Sequence, residues 1–104
     1  MESIDQTDLD NALETLRAMA HPLRLKILSF IDEHEITHVN KIYNTLNLEQ
    51  SITSQHLRIM REVNLVHTER DGKYVYYKVN YGKISAVNKI VEDFFAKGSV
   101  SQGQ

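Results

Sequence analysis

Apolar residues recur at helical spacing in the first third of the chain and predict two helices there. In the first, over about residues 8–20, they form one stripe made by Leu9, Leu13, Leu16 and Ala20. The second begins at Pro22, because proline suits the first turn of a helix. Its apolar residues occupy most faces, as expected of a central buried helix: Leu25, Ile27, Leu28 and Ile31.

The middle of the chain predicts two short helices separated by a tight turn. The β-branched pair Ile36 and Thr37 could form a very short strand before them. Helical periodicity resumes at Val39 and stops at Asn47, which tolerates the left-handed backbone of a turn. The next helix, Gln50 to Val63, has an apolar side predicted to contain Ile52, Leu57, Ile59, Met60 and Val63, and a polar side with Ser51, Ser54, Arg58 and Arg61.

A β-hairpin and a last helix complete the pattern. One strand opens at Leu65 and reaches Arg70, Asp71-Gly72 gives the turn, and residues 74–79 return. The last helix, about residues 83–97, carries Ile84, Val87, Ile90, Val91, Phe94 and Phe95. We therefore expect a mainly α fold with a small β-hairpin, one domain over residues 1–98, and a disordered polar tail over 99–104.

Composition narrows the function without deciding it. A chain of 104 residues with 41% hydrophobic content has room for one compact core. The net charge is -2, but residues 1–15 are strongly acidic whereas residues 41–78 are mildly basic, which permits nucleic-acid binding. There is no long apolar run and no basic, apolar leader, so we expect a cytoplasmic protein without membrane attachment. The absence of cysteine excludes thiolate metal ligands and thiol redox sensing.

Three segments resemble the ArsR family of winged helix-turn-helix regulators. They are LRAMAHPLRLKIL, LEQSITSQHLRIMREVNLV and RDGKYVYYKV, which occur in the family's order and at nearly its spacing. The resemblance implies a bacterial transcription factor that binds a palindromic operator in double-stranded DNA as a homodimer. It implies that the helix at Gln50 to Val63 lies in the major groove and that the Asp71-Gly72 hairpin is the wing. Its dimer interface would join the first and last helices through Leu9, Leu13, Leu16, Ile84, Val87, Ile90 and Phe94.

The polar side of the predicted reading helix supplies the chemistry that base recognition needs, since side-chain donors and acceptors must reach base edges in the major groove. The candidate recognition residues are Gln50, Ser51, Ser54, Gln55 and Arg58, and the candidate backbone or wing contacts are Lys41, Arg61, Arg70 and Lys73. Arg58 and Arg61 lie further from the helix start and are interpreted as phosphate contacts. For the two wing charges the alternative is an ordinary solvated hairpin.

Two residues in or beside this helix, His56 and Glu49, do not fit a simple DNA-reading helix. His56 matches the histidine in the family's Ser-x-His-Leu pattern, yet its helical angle predicts packing among Ile52, Leu57 and Met60. Glu49 stands where the family usually has a serine or threonine cap. This predicts a weaker helix start and a carboxylate close to the phosphates.

The metal sites of the resembling family are not matched by suitable ligands. Its cysteine pair falls on His38 and Asn40, and of the last-helix positions Asn80, Gly82, Asp93 and Ala96 only Asp93 could ligate a metal. The segment from His34 to His38 does spell H-E-x-x-H, which in zinc peptidases holds zinc on a helix. His34 and His38 are therefore weak metal candidates, with a zinc peptidase, a histidine-based sensor and solvated loop histidines as the three interpretations.

The leading hypothesis is a DNA-binding repressor that is not an enzyme and has no cofactor. Its release signal is unknown, and the sequence leaves open whether a small-molecule or metal effector exists. A winged-helix module that binds protein is the second hypothesis, favoured by the mild charge and by Glu49. A zinc peptidase built on His34, Glu35 and His38 is the distant third.

Overall fold

The computed structural model describes residues 6–96, which form five helices and three strands. In chain order the elements are α1 (Gln6–Met19), α2 (Pro22–His34), β1 (Thr37–His38), α3 (Val39–Leu46), α4 (Gln50–Glu62), β2 (Val66–Asp71), β3 (Tyr74–Val79) and α5 (Tyr81–Ala96). The predicted mainly α fold with a small β-hairpin is confirmed. The predicted tail, residues 99–104, lies outside the described residues.

The start of α2 is fixed by local chemistry. His21 is extended and its Nδ1 accepts a hydrogen bond from the amide of Leu23 at 3.2 Å, so the imidazole caps the helix. Pro22 follows in the first turn, where its missing N–H costs nothing. The predicted start of α2 at Pro22 is therefore confirmed.

The three strands form an antiparallel sheet in the order β1-β3-β2. β1 is not isolated: Thr37 pairs with Tyr77 and His38 with Tyr76. In the hairpin Asp71 pairs with Tyr74, so the two loop residues are Gly72 and Lys73 rather than the predicted Asp71 and Gly72. Gly72 has φ 65°, and a positive φ at the first of two loop residues is typical of a type II′ turn.

The core lies between α2, the inner sides of α3 and α4, and the sheet. Its largest fully buried apolar side chains come from all of these parts: Ile27, Ile31, Ile42, Leu57, Met60, Leu65 and Val66. The central position predicted for α2 is confirmed by Ile27, Leu28 and Ile31, but Leu25 is 47% exposed and Phe30 is buried instead. Through this core α3 and α4 pack against the sheet.

Helices α1 and α5 pack against each other within the protomer. The resemblance placed Val87 in the dimer interface, but this packing leaves Val87 buried inside a single chain. An apolar strip nevertheless stays exposed along the pair: Leu13 is 40% exposed, Leu16 37% and Phe95 54%. Two grooves of about 280 Å³ each follow this strip, one lined by Leu9, Leu13, Leu16, Val91, Phe94 and Phe95 and the other by Leu16, Met19, Ile84, Val87, Asn88 and Val91.

Candidate nucleic-acid interface

Helices α3 and α4 form a helix-turn-helix joined by residues 47–49. Asn47 closes α3 in the left-handed conformation, with φ 58° and ψ 52°, and its amide donates to the carbonyl of Tyr43. The amide of Leu48 also donates to Tyr43 O, at 2.9 Å. This predicted turn is therefore confirmed, and it sets α4 at an angle to α3 with one face free.

The inner face of α4 is made by Thr53, Leu57 and Met60, all fully buried. Helical periodicity assigned Ile52, not Thr53, to the predicted apolar side of this helix, but Ile52 is 38% exposed. Thr53 occupies the buried position on this side. Its hydroxyl can be buried because it donates a hydrogen bond to the carbonyl of Glu49 at 2.9 Å. The spacing of four and three residues from Thr53 through Leu57 to Met60 would have found this face had threonine been counted as apolar.

The outer face of α4 carries every candidate recognition residue in an exposed position: Gln50, Ser51, Ser54, Gln55 and Arg58. Within residues 6–96 these side chains take part in no hydrogen bond or ion pair, and the two ion pairs, Lys78–Glu69 and Lys89–Asp93, lie elsewhere. Lys41 on α3 and Arg61 near the end of α4 are exposed as well. The outer face of α4 is therefore a row of donors and acceptors that have no hydrogen-bond partner within the described residues.

The start of α4 has no side-chain cap. Glu49 is extended, but its carboxylate makes no capping hydrogen bond, as the sequence predicted. The amides of the first turn therefore depend on solvent or on a ligand.

We expect Glu49→Ser to stabilise the protein, because a serine hydroxyl at this position accepts from an amide of the first turn. The expected gain is about 0.5–1 kcal/mol in the free energy of unfolding, which urea denaturation measures. Glu49→Gln is the matched control, since it removes the charge without a short capping side chain. An equal gain in Glu49→Gln would assign the effect to charge rather than to capping.

The wing is the β2–β3 hairpin, and its tip carries the two predicted cations. Arg70 pairs across the hairpin with Val75 and is exposed. Lys73 is exposed in the loop, with its Nζ 5.7 Å from the centre of the Tyr74 ring. Lower on the hairpin Lys78 is engaged by Glu69 at 3.2 Å. The exposed Asp71 lies between these two cations, so the tip carries one net positive charge.

His56 does not pack among Ile52, Leu57 and Met60 as its helical angle predicted. It is half-buried and faces α2, where its Nδ1 accepts a hydrogen bond from Arg24 Nε at 3.1 Å. Its ring also lies against that of His21, with the centroids 4.8 Å apart. Burial, His21 and Arg24 together lower the pKa of His56 below its ordinary value of 6.5.

His34 and His38 do not share a helix, as zinc peptidase chemistry would require. His34 ends α2, where its Nδ1 donates to the carbonyl of Phe30 at 2.8 Å and its ring stacks on Phe30. His38 is half-buried in β1 between the rings of Tyr74 and Tyr76, and its Nδ1 is buried without a hydrogen-bond partner in the described part of the chain. His34 stays exposed to solvent at the end of α2, whereas half-buried His38 is not the solvated loop histidine of the third interpretation. Within residues 6–96 no group of three or more histidine, cysteine or acidic side chains is arranged to hold a metal ion.

An open cleft of about 350 Å³ lies between α2, β3 and α5. Its walls are mostly apolar, and at its rim the hydroxyl of Tyr81 donates to the carboxylate of Asp32. This hydrogen bond is the main cause that raises the pKa of Tyr81. The size of the cleft is in the range that holds small organic molecules.

A family model, sequence relatives and solved structures all place this chain with one family of regulators. A family model described as bacterial regulatory protein, arsR family, matches residues 21–68. The transcriptional repressor PagR of Bacillus anthracis is 36% identical over 88 residues, which are 85% of this chain and 88% of PagR. This chain belongs to the arsR family. The crystal structure of PagR aligns with a TM-score of 0.72 over 84% of this chain and 99% of PagR, and the transcriptional activator HlyU of Vibrio cholerae is 30% identical over 85% of this chain and 81% of HlyU.

Membership in the arsR family fixes the broad function. Proteins of this family are DNA-binding transcriptional regulators and are not enzymes, so the zinc peptidase interpretation of His34, Glu35 and His38 is wrong. The winged helix-turn-helix fold implied by the sequence is confirmed by the same relatives. The longest described helix, α5, has 16 residues, and none of the described helices combines the length and apolar character needed to cross a bilayer.

Proposed function

We propose that this arsR-family regulator is a homodimeric repressor that reads a palindromic operator through the outer face of α4. The observation that carries the proposal is the exposed row of uncommitted side chains on the first half of α4, at Gln50, Ser51, Ser54 and Gln55. Hydroxyl and amide groups of this kind pair with base edges in the major groove. The repressor role follows PagR, which is more similar to this chain than the activator HlyU.

Dimerisation is proposed through the exposed apolar strip on α1 and α5. Leu9, Leu13 and Leu16 would contribute from one helix, and Ile84, Ile90 and Phe94 from the other, with Val87 beneath them. A two-fold axis through this strip would place the two copies of α4 about 34 Å apart, one turn of DNA. Arg58, Arg61, Lys41 and the wing residues Arg70 and Lys73 would then hold the phosphates on either side.

Selection from a random duplex library tests this proposal. The purified protein should enrich a two-fold symmetric sequence whose half-sites are about one helical turn apart. Equal binding of all duplexes would contradict operator reading, and a single asymmetric site would contradict the palindrome. Absence of DNA binding at low salt would move the protein-binding module to first place.

Arg58 is expected to hold the backbone rather than to read bases. Arg58→Gln should weaken binding to the selected duplex and to an unrelated duplex by the same factor. The slope of log K against log salt should become shallower by about 0.9 for each phosphate that the variant no longer neutralises in each subunit. Arg17→Gln on α1 is the matched control, because Arg17 is an exposed arginine that belongs neither to α4 nor to the wing. A weakening confined to the selected duplex, with an unchanged slope, would instead make Arg58 a base contact.

A further inference from the structure

One side-chain hydrogen bond within residues 6–96 joins α2 to α4, and it is the one from Arg24 Nε to His56 Nδ1. The same guanidinium donates through Nη1 to the carbonyl of Ala18 at 3.4 Å, near the end of α1. Arg24 therefore links α1, α2 and α4 through one planar group. His56 directly follows the candidate reading residues Ser54 and Gln55, so this link acts on α4 where DNA would be read.

We propose that the hydrogen bond between Arg24 and His56 positions α4 for DNA, and that protonation of His56 breaks it, so that DNA binding weakens as the pH falls. The inference rests on the proposed function of α4 as the reading helix. Neither residue needs to touch DNA for this role. His56 acts by fixing the position of α4, and with it the positions of Ser54 and Gln55.

The hydrogen bond requires a neutral imidazole. Nδ1 can accept from Arg24 Nε only while it carries no proton. In an imidazolium both ring nitrogens are donors, so the N–H of Nδ1 would face the N–H of Arg24 Nε. The groups that face His56 from α2 and the turn before it are both basic, Arg24 and His21. On its own helix, the only other charged residue between Ile52 and Met60 is Arg58. Other elements that contact α4 do carry carboxylates, such as Glu14 on α1 and Glu69 on β2, but among the described residues the only charged groups that shift the pKa of His56 are His21 and Arg24.

The direction of the pH effect follows from these neighbours. Burial, His21 and Arg24 lower the pKa of His56 in the folded protein, so the folded state favours the neutral form. The hydrogen bond is then fully present above the ordinary pKa of 6.5 and breaks as the pH falls through the lowered value. The general effect of charge on DNA affinity runs in the opposite direction. Histidines elsewhere become protonated as the pH falls, which makes the protein more cationic and strengthens its binding to phosphates. A fall in affinity on acidification is therefore diagnostic.

The first test measures binding to the duplex obtained by selection, at fixed salt, from about pH 7.5 to about pH 5. The wild type should lose affinity by about threefold or more over this range. His56→Asn should bind at neutral pH nearly as well and should lose this dependence, because its amide oxygen still accepts from Arg24 but does not titrate. His34→Asn, at the far end of α2, is the matched control and should keep the wild-type profile. An unchanged profile in His56→Asn, or affinity that rises on acidification in the wild type, would overturn the proposal.

The second test needs no DNA. Thermal unfolding of the wild type, Arg24→Gln, His56→Leu and the double variant forms a double-mutant cycle. Coupling should be present at neutral pH and absent at about pH 5. Absence of coupling at neutral pH would overturn the inference, whatever the protein binds. A wild type that binds no duplex at neutral pH would instead contradict the proposed function, and the cycle would still decide whether the hydrogen bond is pH-sensitive.

Discussion

Replacing Ser54 and Gln55 with alanine should abolish the preference for the selected duplex and leave binding to random DNA nearly unchanged. Both side chains are exposed on α4 and are free of hydrogen bonds within the described residues. Each good bidentate contact contributes about 1–3 kcal/mol of discrimination, and a symmetric dimer would forfeit it at both half-sites. The expected loss of specificity is on the order of a hundredfold. Competition binding at fixed salt against random duplex measures the ratio.

The fold should survive this double substitution, because the inner face of α4 is held by Thr53, Leu57 and Met60. Circular dichroism and the unfolding midpoint should therefore match those of the wild type. Ser85→Ala is the matched control, since Ser85 is an exposed serine on α5. Full operator preference in a folded double variant would show that α4 is not the reader and would favour a protein partner.

Features that depend only on residues close together in the chain could be predicted from the sequence. The turn at Asn47 was predictable because a residue that tolerates the left-handed conformation follows the last apolar position of α3. The start of α2 at Pro22 and the uncapped start of α4 at Glu49 are local in the same sense. The outer face of α4 followed from helical geometry alone, because residues on the side opposite the core remain in solvent.

What the sequence did not predict depends on contacts between distant elements or on the fine chemistry of single groups. Thr53 takes an inner position that hydrophobicity assigns to Ile52, because a local carbonyl satisfies its hydroxyl. The link between Arg24 and His56 spans 32 positions, and no periodicity signals such a pair. The packing of α1 on α5 within one chain was missed because an apolar stripe shows that a partner is needed but does not identify it.

Leu13→Glu should convert the proposed dimer into a monomer. Leu13 is 40% exposed in the protomer and lines a groove of about 280 Å³ formed by apolar residues of α1 and α5. A carboxylate buried there between two copies would lack a partner and would lose the hydration that stabilises it. Without the dimer each α4 would bind its half-site alone, so affinity for the selected duplex should fall on the order of a hundredfold or more. Sedimentation gives the oligomeric state and titration gives the affinity.

The monomer itself should stay folded in Leu13→Glu, because the new side chain can extend from a partly exposed position into water. Ser85→Glu is the control for charge: Ser85 is exposed on α5 and does not line either groove, so this variant should remain a dimer and bind normally. A wild type that is monomeric at micromolar concentration would remove the geometric basis for reading a palindrome. A folded, dimeric Leu13→Glu variant would show that the strip on α1 and α5 is not the interface. If that variant became monomeric but kept full affinity, each protomer would read DNA independently, and the operator would not need two-fold symmetry.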